Sequence, residues 1–183
     1  RVSPPVFRAV KEPLLAEAIA AAAGVVVDAY ASEGPLVAGQ SVSVTATVWG
    51  AGAGPVQVDR VTLAAPRGWT VADQSGAPTV DGVPAVFAVQ PGSLVSRRFT
   101  LTVAADAAPT EPYFLARPRI GALYDWAGAP DEVRGEAVDP PLVTARFALT
   151  VSGTVLAVER EVTYRYNDQA SGEVRTPLVV VPA

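Results

Sequence analysis

GQSVSVTATVWG (39–50), LAAPRGWTV (63–71) and VQPGSLVSRRFTLTVAADAAPTEPYFL (89–115) alternate apolar with polar residues and are punctuated by Pro and Gly. In 41–49, Val42, Val44, Ala46 and Val48 share one face while Ser41, Ser43, Thr45 and Thr47 share the other. That is the two-residue period of a half-buried strand. Phe99, Leu101 and Val103 repeat it, with Thr100 and Thr102 turned outward. Residues 56–65 change phase between Val56/Val58 and Val61/Leu63, and a bulge at Asp59–Arg60 reconciles the two halves.

Working toward the N-terminus, VVVDAY (25–30) is a first strand. LLAEAIAAAAG (14–24) is rich in strong helix formers, with Pro13 at its first turn and Gly24 as its stop. Leu15, Ile19 and Ala22 or Ala23 would form its docking face, and 1–12 reads as an extended lead-in. Toward the C-terminus, LVTARFALTV (142–151) and TVLAVEREVTY (154–164) flank Ser152-Gly153, the signature of a two-residue hairpin turn. This register sets Leu149 opposite Leu156, Phe147 opposite Val158 and Val143 opposite Val162. Arg146 then faces Glu159 on the other side, a charge pair that supports the register. Arg160 falls on the apolar face opposite Ala145, so either a bulge rotates it out or it needs a carboxylate. NDQASGE (167–173) is a longer turn, and Pro177 in the last strand, VRTPLVVVP (174–182), points to a sheet edge or a late start.

Short strands separated by turns, without helices between them, predict an all-β fold with one short N-terminal helix. The expected organisation is a lead-in and helix over 1–24, an immunoglobulin-like β-sandwich over 25–118, and a smaller β-rich unit over 119–183 packed on it. Residues 106–141 are Pro-rich, irregular and too long for an ordinary connection.

Half of the 183 residues are hydrophobic and only 17% are charged, which suits a packed core. His, Cys and Met are all absent. That excludes disulfides, thiolate nucleophiles, Cys/His zinc sites and an imidazole base in this segment. A net charge of −4 argues against a nucleic-acid partner. No run reaches the roughly 18 apolar residues that span a bilayer. The lack of Met leads us to expect a segment of a longer protein.

The order GQSVSVTATV, APRGW, PGS, FTLTVAADAAP and then a Tyr resembles the alpha-galactosidase-associated sandwich module of bacterial secreted enzymes, over roughly 36–118. The sequence departs from that pattern at Trp49, where such modules often carry Asn. The preceding Ala-rich helix, with PTEPYFLARPR (109–119) and DQASGEVRTPLVVVP (168–182), resembles the C-terminal region of large bacterial PIG-L-type (LmbE-like) zinc deacetylases. This second likeness spans nearly the whole chain. It implies a secreted or periplasmic parent that deacetylates N-acetyl sugars with zinc. Without His, none of the parent's zinc site can be carried onto this chain, so the segment would be a non-catalytic accessory region with no cofactor. Its partner would be the preceding catalytic domain.

Three functional readings follow: a structural accessory module, a carbohydrate-binding module using exposed aromatics, and a stand-alone hydrolase. The candidate ligand or partner contacts are Trp49, Tyr113, Arg117, Arg119, Tyr124 and Trp126. Trp49 has the parity of the solvent face, as a contact or as a ring folded over the sandwich edge. The 113–126 residues concentrate the side chains that anchor interfaces. The competing reading starts a strand at Tyr113 and Leu115 and lays Tyr124 and Trp126 over the seam between the halves. Trp69 reads as a core plug rather than a sugar platform. Asp131, Glu132, Glu136 and Asp139 read as a solvated face, though paired carboxylates also serve glycosidases. Asn167, Asp168 and Glu173 read as a polar turn rather than a calcium loop. Ser75 is a turn serine without a base.

Overall fold

A computed structural model describes residues 5–182 apart from 75, 77–78, 81–82, 85–86 and 132. Helix α1 (Pro5–Ala22) is followed by β1 (Val25–Ala31), β2 (Ser41–Gly50), β3 (Val56–Ala64), β4 (Thr70–Asp73) and the two-residue strands β5 (Thr79–Val80) and β6 (Val83–Pro84). Then come β7 (Phe87–Val89), β8 (Leu94–Thr102), β9 (Thr144–Val151), β10 (Thr154–Glu161), β11 (Thr163–Asp168) and β12 (Gly172–Pro177). One sheet runs β12-β11-β1-β2-β8-β4 and the other β10-β9-β3-β7, with β5–β6 a separate small ladder. The fold is an all-β sandwich.

Alternation in sequence becomes alternation in burial. Val42, Val44, Ala46 and Val48 of β2 are buried, as are Phe99 and Leu101 of β8. From the other sheet, Val58, Phe147, Leu149 and Val158 enter the same cluster. The β9–β10 hairpin has the expected register, with Leu156 opposite Leu149 and Glu159 opposite Arg146. Ser152 and Gly153 both take positive φ, 49° and 79°, the requirement of a two-residue turn that matches strand twist. Arg146 Nε lies 2.8 Å from Glu159 Oε1. The bulge also falls where the phase change places it, with the β3–β9 register shifting between Val58 and Arg60. The extra residue, Asp59, accepts a hydrogen bond from the Thr150 hydroxyl at 2.8 Å.

Several expectations are corrected. Residues from Pro5 onward are helical, so 5–12 is not an extended lead-in and Pro13 lies inside α1. Pro13 is exposed. A proline there removes one backbone donor, and the helix carries on past it. The docking face of α1 is Ala16 and Ala20, with Ile19 and Ala23 packed beside them, while Leu15 is 61% exposed. Arg160 does sit opposite Ala145, and its partner comes from the helix: its guanidinium binds both oxygens of Glu17, Nη2 to Oε2 at 2.7 Å. The last strand stops at Pro177 on the edge of the six-stranded sheet.

The division at 118/119 also changes. β9 pairs with β3, and β11 runs parallel to β1 at Tyr30–Thr163 and Ala31–Tyr164. Residues 144–177 therefore complete both sheets of the sandwich around a shared hydrophobic cluster. In the four-stranded sheet β9 pairs with one edge of β3 and β7 with the other.

Candidate partner surface and cleft

The rigid sandwich leaves residues 105–143 to run across one of its ends without long strands. The segment is held by specific polar contacts. The Tyr113 backbone N–H donates to both oxygens of Asp139, at 3.2 and 3.3 Å. The Tyr113 hydroxyl donates to the Glu136 carbonyl and accepts from the Gly135 N–H, each at 3.0 Å. Thr110 ties the loop to the last chain segment: its N–H donates to the Val180 carbonyl at 2.8 Å, and its hydroxyl accepts from the Val180 N–H at 2.9 Å. Tyr113 lies in a turn, so the strand expected to start there is absent.

On this frame the structure joins five of the six candidate contacts. Tyr113 meets Phe114 and Trp126 edge-on, at centroid distances of 5.4 and 6.3 Å. Phe114 meets Tyr124 at 5.3 Å. These geometries suit ring quadrupoles, whose positive edges meet negative faces. Arg119 stands 5.9 Å from the centroid of Tyr124, and Arg117 pairs with Asp125 at 3.6 Å. Tyr124 and Trp126 remain 46% and 43% exposed, beside exposed Leu115, Ile120 and Leu123.

Trp49 is the sixth candidate and stands on another surface. It points outward from β2 and is 44% exposed. In register it lies between Val26 of β1 and Leu94 of β8, both exposed, making one apolar row across three strands. Further along that face, Arg165 lies 3.6 Å from the Tyr30 ring centroid, and Asp28 accepts from Arg165 and Arg175 at 3.3 and 3.0 Å. This network covers the parallel β1–β11 junction.

Trp69 packs against the hydrophobic core, as expected of a core plug, but at its rim. It is only partly buried and lines a cleft of about 980 Å³ between the 105–143 segment and the sandwich end, along with Tyr113. Proline-rich stretches that cannot continue a sheet hold this wall away from the strands. Sequence reasoning missed the cleft because its lining comes from five separate chain segments.

The acidic residues of the loop act locally. Asp131 pairs with Arg134 at 2.9 Å, and Asp139 is engaged by the Tyr113 backbone. Glu132 and Ser75 lie outside the described residues. In the 167–173 turn, Asp168 accepts from the backbone N–H groups of Ser171 and Ala170, at 2.8 and 3.0 Å. Those bonds hold its carboxyl below the usual range. Glu173 pairs with Arg175 at 2.8 Å. Among the described residues no group of three or more Asp or Glu is arranged to hold a metal ion. Among them, too, no helix is long and apolar enough to cross a membrane.

No known protein family matches the chain, and no curated protein matches it. Among solved structures it is similar to the FixG-related protein from Vibrio parahaemolyticus, at 10% sequence identity and a TM-score of 0.37. That similarity covers 76% of this chain and 94% of the other.

Proposed function

We propose that the chain is a non-catalytic accessory module of a larger secreted carbohydrate-active enzyme, an N-acetyl sugar deacetylase by the likeness drawn above. Its role is to position the catalytic neighbour through the 113–126 surface. The observation that supports this most directly is the ring assembly Trp126–Tyr113–Phe114–Tyr124, flanked by Arg119 and Arg117 and open to solvent. Tyr, Trp and Arg dominate the energetics of protein interfaces, and a loop braced on a sandwich loses little entropy on docking. Oxidative footprinting of this chain alone, and joined to its catalytic neighbour, tests the reading. Protection of Tyr124 and Trp126 on joining is expected, and equal oxidation in both states would refute it.

A second reading, a carbohydrate-binding module, is favoured by the open rings of Trp49 and Trp126. Tryptophan fluorescence titrated with chitin fragments tests it, and a flat response in wild type removes it.

A further inference from the structure

The 980 Å³ cleft walled by the 105–143 segment lies within the size range of ligand sites, and apolar groups dominate its lining. Half-buried Trp69 and Tyr113 supply its aromatic surface. Tyr113 cannot swing away, because its hydroxyl, its backbone N–H and its ring are all engaged. Charge in the cleft is one-sided. Asp106, Glu111, Asp139 and Glu161 face a single guanidinium, that of Arg67. Asp139 is committed to the Tyr113 backbone. Asp106, Glu111 and Glu161 accept no side-chain hydrogen bond and form no ion pair among the described residues.

We propose that this cleft binds an amine-bearing oligosaccharide, with a sugar ring against Trp69 and its ammonium groups against the carboxylates of Asp106, Glu111 and Glu161. The proposal rests on the carbohydrate-binding reading above and names its ligand class. An apolar, aromatic-lined cleft with excess negative charge is complementary to a ligand that joins a ring face to a positive charge. An extended peptide could carry the same charge, but it would gain affinity by adding a strand to an open edge. Along residues 179–181, where the chain borders the cleft, no such edge is open. The Val179 carbonyl accepts from the Leu36 N–H, the Val181 N–H donates to the Leu36 carbonyl, and both polar groups of Val180 are taken by Thr110.

Isothermal titration of the whole chain with glucosamine oligosaccharides, with their N-acetylated counterparts and with oligolysine tests the assignment. The glucosamine oligomers should bind about tenfold or more tighter than the acetylated ones, and less tightly as salt screens the charges. The double variant Glu111→Gln/Glu161→Gln alters two exposed side chains, so it should fold as wild type and bind about threefold to tenfold more weakly. Val155→Ala, exposed on β10 and outside the cleft lining, should leave this binding unchanged. Equal affinity for both sugars would overturn the charged-ligand assignment while leaving the carbohydrate-binding reading intact. Tightest binding by oligolysine would make the cleft a peptide site and overturn the proposal. Failure of every ligand to bind would overturn it as well, and the footprinting of the 113–126 surface would still stand apart.

Discussion

Breaking the Arg160–Glu17 pair should loosen α1 from the sandwich. The helix docks through small side chains, Ala16 and Ala20 with Ile19 and Ala23 beside them. A buried methyl contributes only about 0.8 kcal/mol, so the ion pair is a sizeable part of the anchorage. Arg160 and Glu17 keep 35% and 39% of their side-chain surface. Solvent therefore screens the charges. The coupling should lie near the top of the exposed-pair range, about 1 kcal/mol, and well short of a fully buried pair. A double-mutant cycle of Glu17→Gln and Arg160→Gln, followed by urea unfolding, measures that coupling. Hydrogen exchange should show faster opening of α1 in either variant and unchanged protection in β2 and β8.

The pair also predicts a pH dependence. The hydrogen bond from Arg160 holds the Glu17 carboxyl below its ordinary value of 4.5, with desolvation opposing it and the charge of Arg160 adding to it. A carboxyl with a depressed folded value contributes stability that is complete above its unfolded value and is lost as pH falls through the folded one. Wild type should therefore exceed Glu17→Gln in stability at neutral pH, and the two should converge in acid. A coupling below about 0.3 kcal/mol, or identical exchange of α1 in all variants, would refute this account of how the helix is held.

Three further outcomes are expected. Leu149→Ala, at a fully buried position between Val58 and Leu156, should cost about 3 kcal/mol and lower Tm by about 6–12 °C in a thermal melt. Gly24→Ala should destabilise by about 2 kcal/mol in denaturant unfolding. Gly24 has φ 69°, and an added Cβ would lie 2.5 Å from the Gly52 backbone nitrogen, so strain and a backbone clash combine. Tyr113→Phe deletes both hydrogen bonds of the hydroxyl, and hydrogen exchange at Gly135 should quicken while β9 and β10 keep their protection.

The parts of the fold legible in the sequence were those set by neighbours along the chain. Alternation in 41–49 marks the buried face of β2, and the phase change at Asp59 marks the bulge. Ser152-Gly153 sets the register of β9 on β10, and with it the position of Arg160 opposite Ala145. The helix start was less legible, because Pro13 reads as a first-turn residue and the chain instead accommodates it mid-helix. Exposure of Trp49 followed from parity, whereas the cleft position of Trp69 did not, because its Gly-containing turn looks the same in a core or at a rim.

By itself the sequence determined the long alternating strands, their inward faces and the hairpin, and it excluded chemistry that needs His or Cys in this chain. Only the tertiary structure decided that β9 would pair with β3, that β11 would run parallel to β1, and that Glu17 would meet Arg160 across 143 residues. It also gathered Tyr113, Phe114, Tyr124 and Trp126 into one assembly and opened a cleft beneath the same loop. The physical reason is that side-chain direction follows from local dihedral periods. Which distant edges meet depends on closing one shared core, and the entropy of loop closure varies too slowly with length to favour one long-range pairing over another.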